Sequence, residues 1–439
     1  MTGERERVSG TGRGPTAVLL SPRPAMVAAA RRAGAHTVVV APGAPPAVAW
    51  GRPPVPSDRE GAERRVPADW RDHRRLIEAL GRLDAVRRGH ARVFGCDPAA
   101  ALAAARANEA LGLPGTPAAA VTALMDKAAL RARSNALHAA RPVSFVRCGR
   151  AALLPFLAGL IGFPCVVKPR AGALGEGVRL LAGPADAQAA VRDYPEVTDL
   201  LVEEYLEGPE LAVEALSREG RHRILGWTRR IPAPGTAATT ATGHALPVAL
   251  PAGTAEAVRA LVRGVLDLAG HRDGPSHTEV VLTPDGPRLI EAHAHPGAEE
   301  LVQLLRLAHG TDVLALALAA GLGLPEPVHH PRTAHAGLRY VDFAPGTRIE
   351  RAHPGPAAAR AVPGVVRVRL EVPPGTTVRR TPTGSLHHAH VLAAAPTAAS
   401  LTRILDRAAA LLGRAGPLTP DSHGIHVPRP PWRDGPHTT

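Results

Sequence analysis

Read for its apolar positions, the chain opens with two buried-strand signals, AVLL at 17–20 and TVVV at 37–40. Between them lies an Ala-rich helical stretch from Ala25 to Ala33, stopped by Gly34. Unbroken apolar runs on either side of a helix predict parallel strands covered on both faces, a βαβ unit. A Pro-rich loop follows from Pro42 to Pro56, then helices over 73–83 and 98–111, the second closed by Gly112. The texture changes near Leu113. A helix is predicted over 128–140, short strands over 165–168, 200–203 and 211–216, and an amphipathic helix over 255–269 that ends at Gly270. Pro232 to Thr242 reads as a linker loop. Thr278–Leu282 and Arg288–Ala292 read as the arms of a hairpin turning at Pro284, Asp285 and Gly286. Helices over 299–309 and 312–320 follow, each stopped by glycine. A third region carries strands over 365–372 and 390–394 and a helix over 397–412, and the chain beyond Pro417 is Pro-rich. The reading is α/β with three regions: 15–115, 116–330 with a smaller lid at about 160–215, and 335–415. Residues 1–14 and 417–439 are read as tails.

Composition narrows the function classes. Hydrophobic residues make up 45% of the 439, enough for a large core, but aromatics are only 3%, so that core must be Ala, Leu and Val. The net charge of +13 raises nucleic acid as a partner. The arginines are spread along the chain with carboxylates nearby, and no basic run is interleaved with aromatics, so nucleic-acid binding is not expected. Cys96, Cys148 and Cys165 form no CxxC pair and no even-numbered framework, which predicts free thiols and a cytoplasmic location. The polar start MTGERERVSG is no secretory signal. The longest apolar stretch, 313–324, is too short to span a bilayer, so no membrane partner is expected.

Of the 52 lysines and arginines, only Lys127 and Lys168 are lysines. In a chain so biased toward arginine, a surviving lysine marks a place where a compact ammonium is needed and a planar guanidinium will not fit. Phosphate contact inside a nucleotide site is such a place. Lys127 opens a helix, and Lys168 ends a strand just before the glycine-rich turn Gly172 to Gly177. Backbone amides of such a turn can cradle phosphate. The first βα turn, SPRP at 21–24, lacks GxGxxG, and no GxxxxGK[ST] occurs anywhere. The N-terminal lobe is therefore Rossmann-shaped without a dinucleotide fingerprint. On the predicted hairpin, Glu279 and Glu291 face the same way, and two converging carboxylates suit Mg²⁺. His293 shares that strand face with Glu291. Taken singly, each element has a plain structural reading: a tight connection, a charged hairpin, a solvated glutamate.

Taken together and in order, ARANEALGLPGT, MDKAALR, FPCVVKPRAGALGEGV, LVEEYLEGPELAVEAL, TGHALPVAL and HTEVVLTPDGPRLIEAHAHPG resemble the ATP-grasp superfamily over roughly residues 15–415. The closest flavour is the carboxylate–amine ligases, such as L-amino-acid ligases and carnosine-synthase-like enzymes. The resemblance implies three lobes: an N-terminal Rossmann-like lobe, a central two-part ATP-grasp lobe, and a C-terminal α+β lobe. It implies ATP and Mg²⁺ as cofactors, with Mn²⁺ able to substitute. Lys127 and Lys168 match the nucleotide-phosphate lysines. The glycine turn, with Gly172, Gly175 and Gly177, matches the loop over the phosphates. Glu203, Glu204 and Leu206 match the adenine hinge, the last two through their backbones, and Glu210 matches the ribose glutamate. Glu279 and Glu291 match the metal carboxylates. His244 and His277 match positions near the substrate.

Two positions depart from the family pattern. His293 stands where the family commonly has asparagine, and His295 where it usually has arginine. An imidazole is a poorer Mg²⁺ ligand than an amide oxygen. The loss of arginine is more serious, because a histidine lacks the permanent, bidentate charge that grips a transferring phosphoryl group. Arg306 and Arg339 are the candidates to replace it. The reading that follows is an ATP-dependent ligase joining a carboxylate to an amine, with amino acids as substrates and pairing into a homodimer expected. The rivals are an impaired nucleotide-binding partner protein and a biotin-carboxylase-like enzyme. The HHAH run at 387–390 reads as a polar loop before a strand rather than a metal site.

Overall fold

The protein is described from a computed structural model. It covers residues 14–20, 22–41, 64–138, 141–171, 177–232, 241–350, 354–378 and 387–413. The predicted tails, the Pro42–Pro56 loop and the glycine turn from Gly172 to Glu176 lie outside these.

The N-terminal lobe is a sheet of four parallel strands: β1 (Thr16–Leu20), β2 (His36–Ala41), β3 (Arg64–Pro67) and β4 (Ala91–Phe94), in the order β3-β2-β1-β4. Every residue of β1 is buried, as its apolar run requires of a central strand covered on both faces. The sequence reading found β1 and β2 but missed β3 and β4. Their RRVP and ARVF runs are four residues long and carry arginines, which masks the apolar signal.

The second sheet contains β5 (Phe145–Arg150), β6 (Cys165–Pro169), β7 (Arg179–Leu181) and β8 (Val197–Glu204), all antiparallel in the order β5-β8-β6-β7. Its alternation is clear. Cys148, Cys165, Val167, Leu200 and Val202 form a core with the helices at 154–161 and 184–190. Lys168 and Glu203 belong to the other face, since register pairs Lys168 with Leu201 and Val166 with Glu203. This sheet starts at Phe145 and ends at Glu204, earlier at both ends than the lid read from the sequence.

The third sheet has eight strands. They are β9 (Glu210–Arg218), β10 (Arg221–Pro232), β11 (Ala241–Leu246), β12 (Gly274–Thr283), β13 (Gly286–His293), β14 (His335–Val341), β15 (Val365–Leu370) and β16 (Ala389–Ala395). Their order is β13-β12-β9-β10-β11-β14-β16-β15. The C-terminal strands β14, β16 and β15 therefore extend the central sheet rather than forming one of their own. β10 and β11 also correct the sequence reading: residues 241 and 242, placed in a linker, begin a strand. The polar run of β10, RHRILGWTRRIP, gives no clean two-residue alternation because register shifts between Ile224 and Gly226.

Helix 252–269 covers one face of this sheet. Its buried positions, Ala255, Val258, Leu261, Val262, Val265, Leu266 and Ala269, repeat every three or four residues. They pack on Leu211, Val213, Val280 and Leu289. Gly270, at φ 69°, ends the helix in the left-handed conformation. Leu301, Leu304 and Leu305 from helix 299–309 cover the opposite face through Ala212, Leu246, Leu338 and Leu392. Among the described residues, no single helix is long and apolar enough to cross a membrane.

Candidate active site

The face of the large sheet that carries helix 299–309 turns polar toward β13. Register places Glu279 opposite Glu291 and His277 opposite His293, so all four side chains share that face. A bulge between Glu279 and Val280 resets the phase of β13. It lets Leu289 point into the opposite core while Glu291, two residues on, joins the acidic face. Ala292 and Ala294 then return to that core, leaving His293 and His295 on the site face. The rings of His277, His293 and His295 form a ladder, with centroids 6.4 Å and 5.0 Å apart.

Lys127 reaches this face from outside the sheet. Asp126 ends one helix and caps the next, accepting a hydrogen bond from the Ala129 amide at 3.1 Å. Its carboxylate also takes Arg170 Nε at 2.8 Å, and that bond holds its pKa down to about 2. Lys127 is thereby fixed at the first helical position, 7% exposed, with Nζ 3.1 Å from Glu291 Oε2. Glu291 Oε1 pairs with His293 Nε2 at 3.0 Å. Burial pushes the Glu291 carboxyl up, but His293, Lys127 and the more distant Lys168 outweigh it and hold it well below the carboxylate range.

Lys168 is 4% exposed and ion-paired to Glu203, whose second oxygen accepts from Arg131 Nε at 3.1 Å. Burial raises the Glu203 pKa, and the two cations together overcome it, so the carboxyl lies below its ordinary value. Arg131 was not singled out in the sequence. It sits four residues after Lys127, one helical turn on, and that spacing was the available signal. Glu204 ends β8 with its N–H bonded to the Ser144 carbonyl at 3.0 Å, and Leu206 is half-buried in the following turn. Gly177 has φ 69°, and a Cβ there would press on Pro169. Gly172 and Gly175 lie outside the described residues.

Glu210 faces the same way as Glu279 and pairs with Arg230 Nη1 at 3.0 Å. Burial, with Glu279 and Glu291 nearby, pushes its pKa up to about 7 against the pull of Arg230. His244 lies across from Arg230 on β11, 8% exposed, with Nδ1 lacking a hydrogen-bond partner. Burial lowers its pKa to about 3, so it is a neutral imidazole. Glu214 was also missed by sequence reading. It is 1% exposed, accepts from His277 Nδ1 at 2.6 Å, and takes the Gly297 amide at 3.1 Å. It thus ties β12 to the loop that follows β13, and a side chain at Gly297 would overlap its carboxylate. Burial opposes the charge on His277, but Glu214 and Glu279 raise its pKa to about 10.

His295 is buried, donates from Nδ1 to the Pro296 carbonyl at 2.7 Å, and has an unpartnered Nε2. An imidazole can only donate to that carbonyl, so Nδ1 carries the proton. Burial drives its pKa down to about 3. It cannot supply the charge of an arginine. The two expected substitutes fail as well. Arg306 is on the exposed side of helix 299–309. Arg339 alternates with Leu338 and Tyr340 onto the opposite face of β14, where it pairs with Asp406 at 2.8 Å. Arg230 does lie on the site face, beside Glu210, and Arg288 shares that face through its pairing with Val281. In the HHAH run, His387 and His388 bond to Asp342. His390 lies between Glu371 at 3.3 Å and Glu300 at 3.7 Å, in a cluster whose charges Arg23, Arg367 and Arg369 offset.

Two carboxylates facing each other, one already within reach of an ammonium, are a donor set that fits Mg²⁺. Residues 161–303 match the ATP-grasp domain, and residues 349–413 match the L-amino acid ligase C-terminal domain 2. Carnosine synthase 1 of Gallus gallus is 33% identical over 297 residues, 61% of this chain and 31% of that protein. A D-alanine–D-alanine ligase of Anaeromyxobacter dehalogenans is 31% identical over 225 residues, 46% of this chain and 64% of that one. The chain thus spans less than two thirds of these relatives. The crystal structure of an L-amino acid ligase from Bacillus licheniformis superposes with a TM-score of 0.72 at 22% identity, over 91% of this chain and 98% of that one. The fold is shared.

Proposed function

From a chain that carries an ATP-grasp domain and the C-terminal domain of L-amino acid ligases, we propose an ATP-dependent carboxylate–amine ligase that joins amino acids. ATP phosphorylates one substrate's carboxylate to an acylphosphate and leaves as ADP. The second substrate's amine attacks the acyl carbon, expels phosphate and leaves an amide bond. The observation that carries this reading is the Lys127–Glu291 contact at 3.1 Å, with Lys168 close enough to act on the same carboxylate. Glu279 stands opposite Glu291 on the neighbouring strand, and Lys168 is buried against Glu203 on the lid sheet.

In this reading Lys127 and Lys168 bind the phosphates and neutralise their charge. Glu203 and Glu291 hold the two ammoniums in place beforehand, so little side-chain entropy is lost when phosphate arrives. Glu279 and Glu291 would hold Mg²⁺, with Mn²⁺ as a substitute and His293 as a neighbour that orients Glu291. The bound ion would add positive charge against the triphosphate. Glu210 takes the ribose hydroxyls, and the backbone beyond Glu204 takes the adenine edge. Arg230, rather than His295, supplies the permanent charge beside the transferring group, while neutral His244 and His295 line the substrate side. His277, fixed by Glu214, positions the loop at 294–298. A reducing, cytoplasmic location goes with the reading, in keeping with the three free thiols.

The test is ADP release with Mg-ATP across a panel of amino-acid pairs. Pair-dependent ADP supports the ligase. Nucleotide binding without ADP for any pair would point instead to an impaired nucleotide-binding protein, and bicarbonate-dependent ADP to a carboxylase.

A further inference from the structure

The helix at 154–161 and the turn that leads into it leave an apolar face in water. Leu154 and Ala158 bury against the second sheet, with Leu157 and Ile161 packed alongside. On the far side, Leu153 is 47% exposed, Phe156 66% and Leu160 65%, and Val197 beside the start of the helix is 77% exposed. Ala152 and Gly159 are exposed on the same side. The spacing 152, 153, 156, 159, 160 puts all five on one helical face, opposite the buried one. That face holds no charged residue. Among the described residues, half of the large exposed hydrophobics lie on this one lobe. A patch of this kind marks an interaction surface more often than chance exposure.

We infer that this face pairs with the same face of a second copy of the chain, as an antiparallel helix pair about a two-fold axis. Three observations select that occupant. First, small residues alternate with large ones: Ala152 and Gly159 leave room into which Leu153, Phe156 and Leu160 of a partner helix fit. Nothing stands within 4 Å of where a Gly159 Cβ would be, so the groove is open. A self-complementary surface is what an isologous contact requires. Second, the exposed side chains offer on the order of 400 Å² of apolar surface per copy. Two copies would bury roughly 1,000 Å² with their rims, the low end for a specific, reversible dimer. Third, the charge pattern does not favour an anionic lipid surface. Three of the lobe's five arginines are matched in place, Arg147 to Asp199 at 3.0 Å, Arg170 to Asp126 and Asp199, and Arg179 to Asp193, which leaves only Arg150 and Arg192 exposed without an acidic partner among the described residues. A chain of net charge +13 also repels itself, so a stable contact must be made through an uncharged face such as this one.

Sedimentation velocity over a range of about 1–200 µM tests the inference. The expected result is a monomer–dimer equilibrium with a dissociation constant in the micromolar range. The double variant Phe156→Glu, Leu160→Glu should sediment as a monomer throughout, with an unchanged thermal midpoint, because neither side chain supports the core. Separately, Gly159→Cys should form a disulfide dimer under mild oxidation where the wild type does not, since Cys148 and Cys165 are buried and burial pushes the thiol of half-buried Cys96 up to about 12. A wild-type protein that stays monomeric throughout overturns the inference. So does a dimer that survives the double variant, a Gly159→Cys protein that dimerises without cross-linking, or a monomer that instead moves onto lipid vesicles through this face.

Discussion

Replacing Lys168 with methionine separates a binding role from a structural one, because its partner Glu203 has a second cation. The side chain is 4% exposed, and methionine fills nearly the same space. After the change, Glu203 still pairs with Arg131 at 3.1 Å, so its buried charge remains compensated. The loss of stability is then about 1–2 kcal/mol, less than the full worth of a charge-assisted bond because Arg131 keeps the carboxylate paired. Nucleotide affinity should fall further. A charge-assisted bond to phosphate is worth about 1.5–3 kcal/mol, which weakens binding roughly tenfold to 150-fold. Glu203→Gln should do the reverse. It leaves Arg131 and Lys168 buried around a neutral amide and costs about 3–5 kcal/mol of stability, while both ammoniums remain for the phosphates. Calorimetry with a non-hydrolysable ATP analogue and Mg²⁺, alongside urea denaturation, reads both quantities on each variant. If Lys168→Met bound nucleotide within about twofold of wild type, its ammonium would not face the triphosphate. Equal destabilisation by the two variants would make Lys168 a structural residue only.

The remaining expectations rest on the same geometry. His277 is raised from about 6.5 to about 10 by Glu214 and Glu279. Its contribution to stability is therefore complete below about pH 6.5 and is lost as pH rises toward 10. Denaturation across that window should show the decline, and Glu214→Gln should flatten it while costing about 3–5 kcal/mol at pH 7; an unchanged slope would dissociate the pair. Glu279→Gln keeps the fold but removes one of two facing carboxylates, so the Mg²⁺ needed for half-maximal ADP release should rise at least tenfold, and an unchanged requirement would move the metal elsewhere. Arg230→Lys should lower kcat by two orders of magnitude or more with little change in KM, the signature of a charge used on the transferring group; a mainly KM effect would make it a binding residue.

How far the sequence could be read depended on how local each signal was. Lys127, Lys168 and the Pro-Asp-Gly hairpin were legible because a cap, a strand end and a turn are set within a few residues. The positions of Glu279 and Glu291 relative to each other were legible for the same reason. Glu214 was not, because its role comes from packing 63 residues from His277. On its own strand it reads as one polar residue in the otherwise apolar LAVEAL. Arg339 was misjudged because a strand's two faces differ by one residue, and only the pairing of β14 with β16 decides which face is which. The merging of the C-terminal strands into the central sheet was likewise invisible, since adjacency across β11 and β14 spans a long connection.

The register of the large sheet also decides what the unusual histidines can do. Moving across the site face from β12 to β11, the side chains run from Glu279 past Glu210 and Arg230 to His244. Negative charge stands where a metal would sit, and a permanent positive charge stands two strands away. Neutral imidazoles lie at each end, because burial keeps His244 and His295 far below their ordinary pKa. A neutral imidazole cannot replace a guanidinium as a charge clamp, but it costs little to bury and can still donate or accept one hydrogen bond. On the proposed reading, permanent positive charge rests on Lys127, Lys168 and Arg230, and the position after β13 makes a polar, uncharged contact. Restoring arginine there would place a third buried cation near Lys127 without a new acid to match it. His295→Arg should thus destabilise the fold rather than raise turnover, unless phosphate supplies the missing charge.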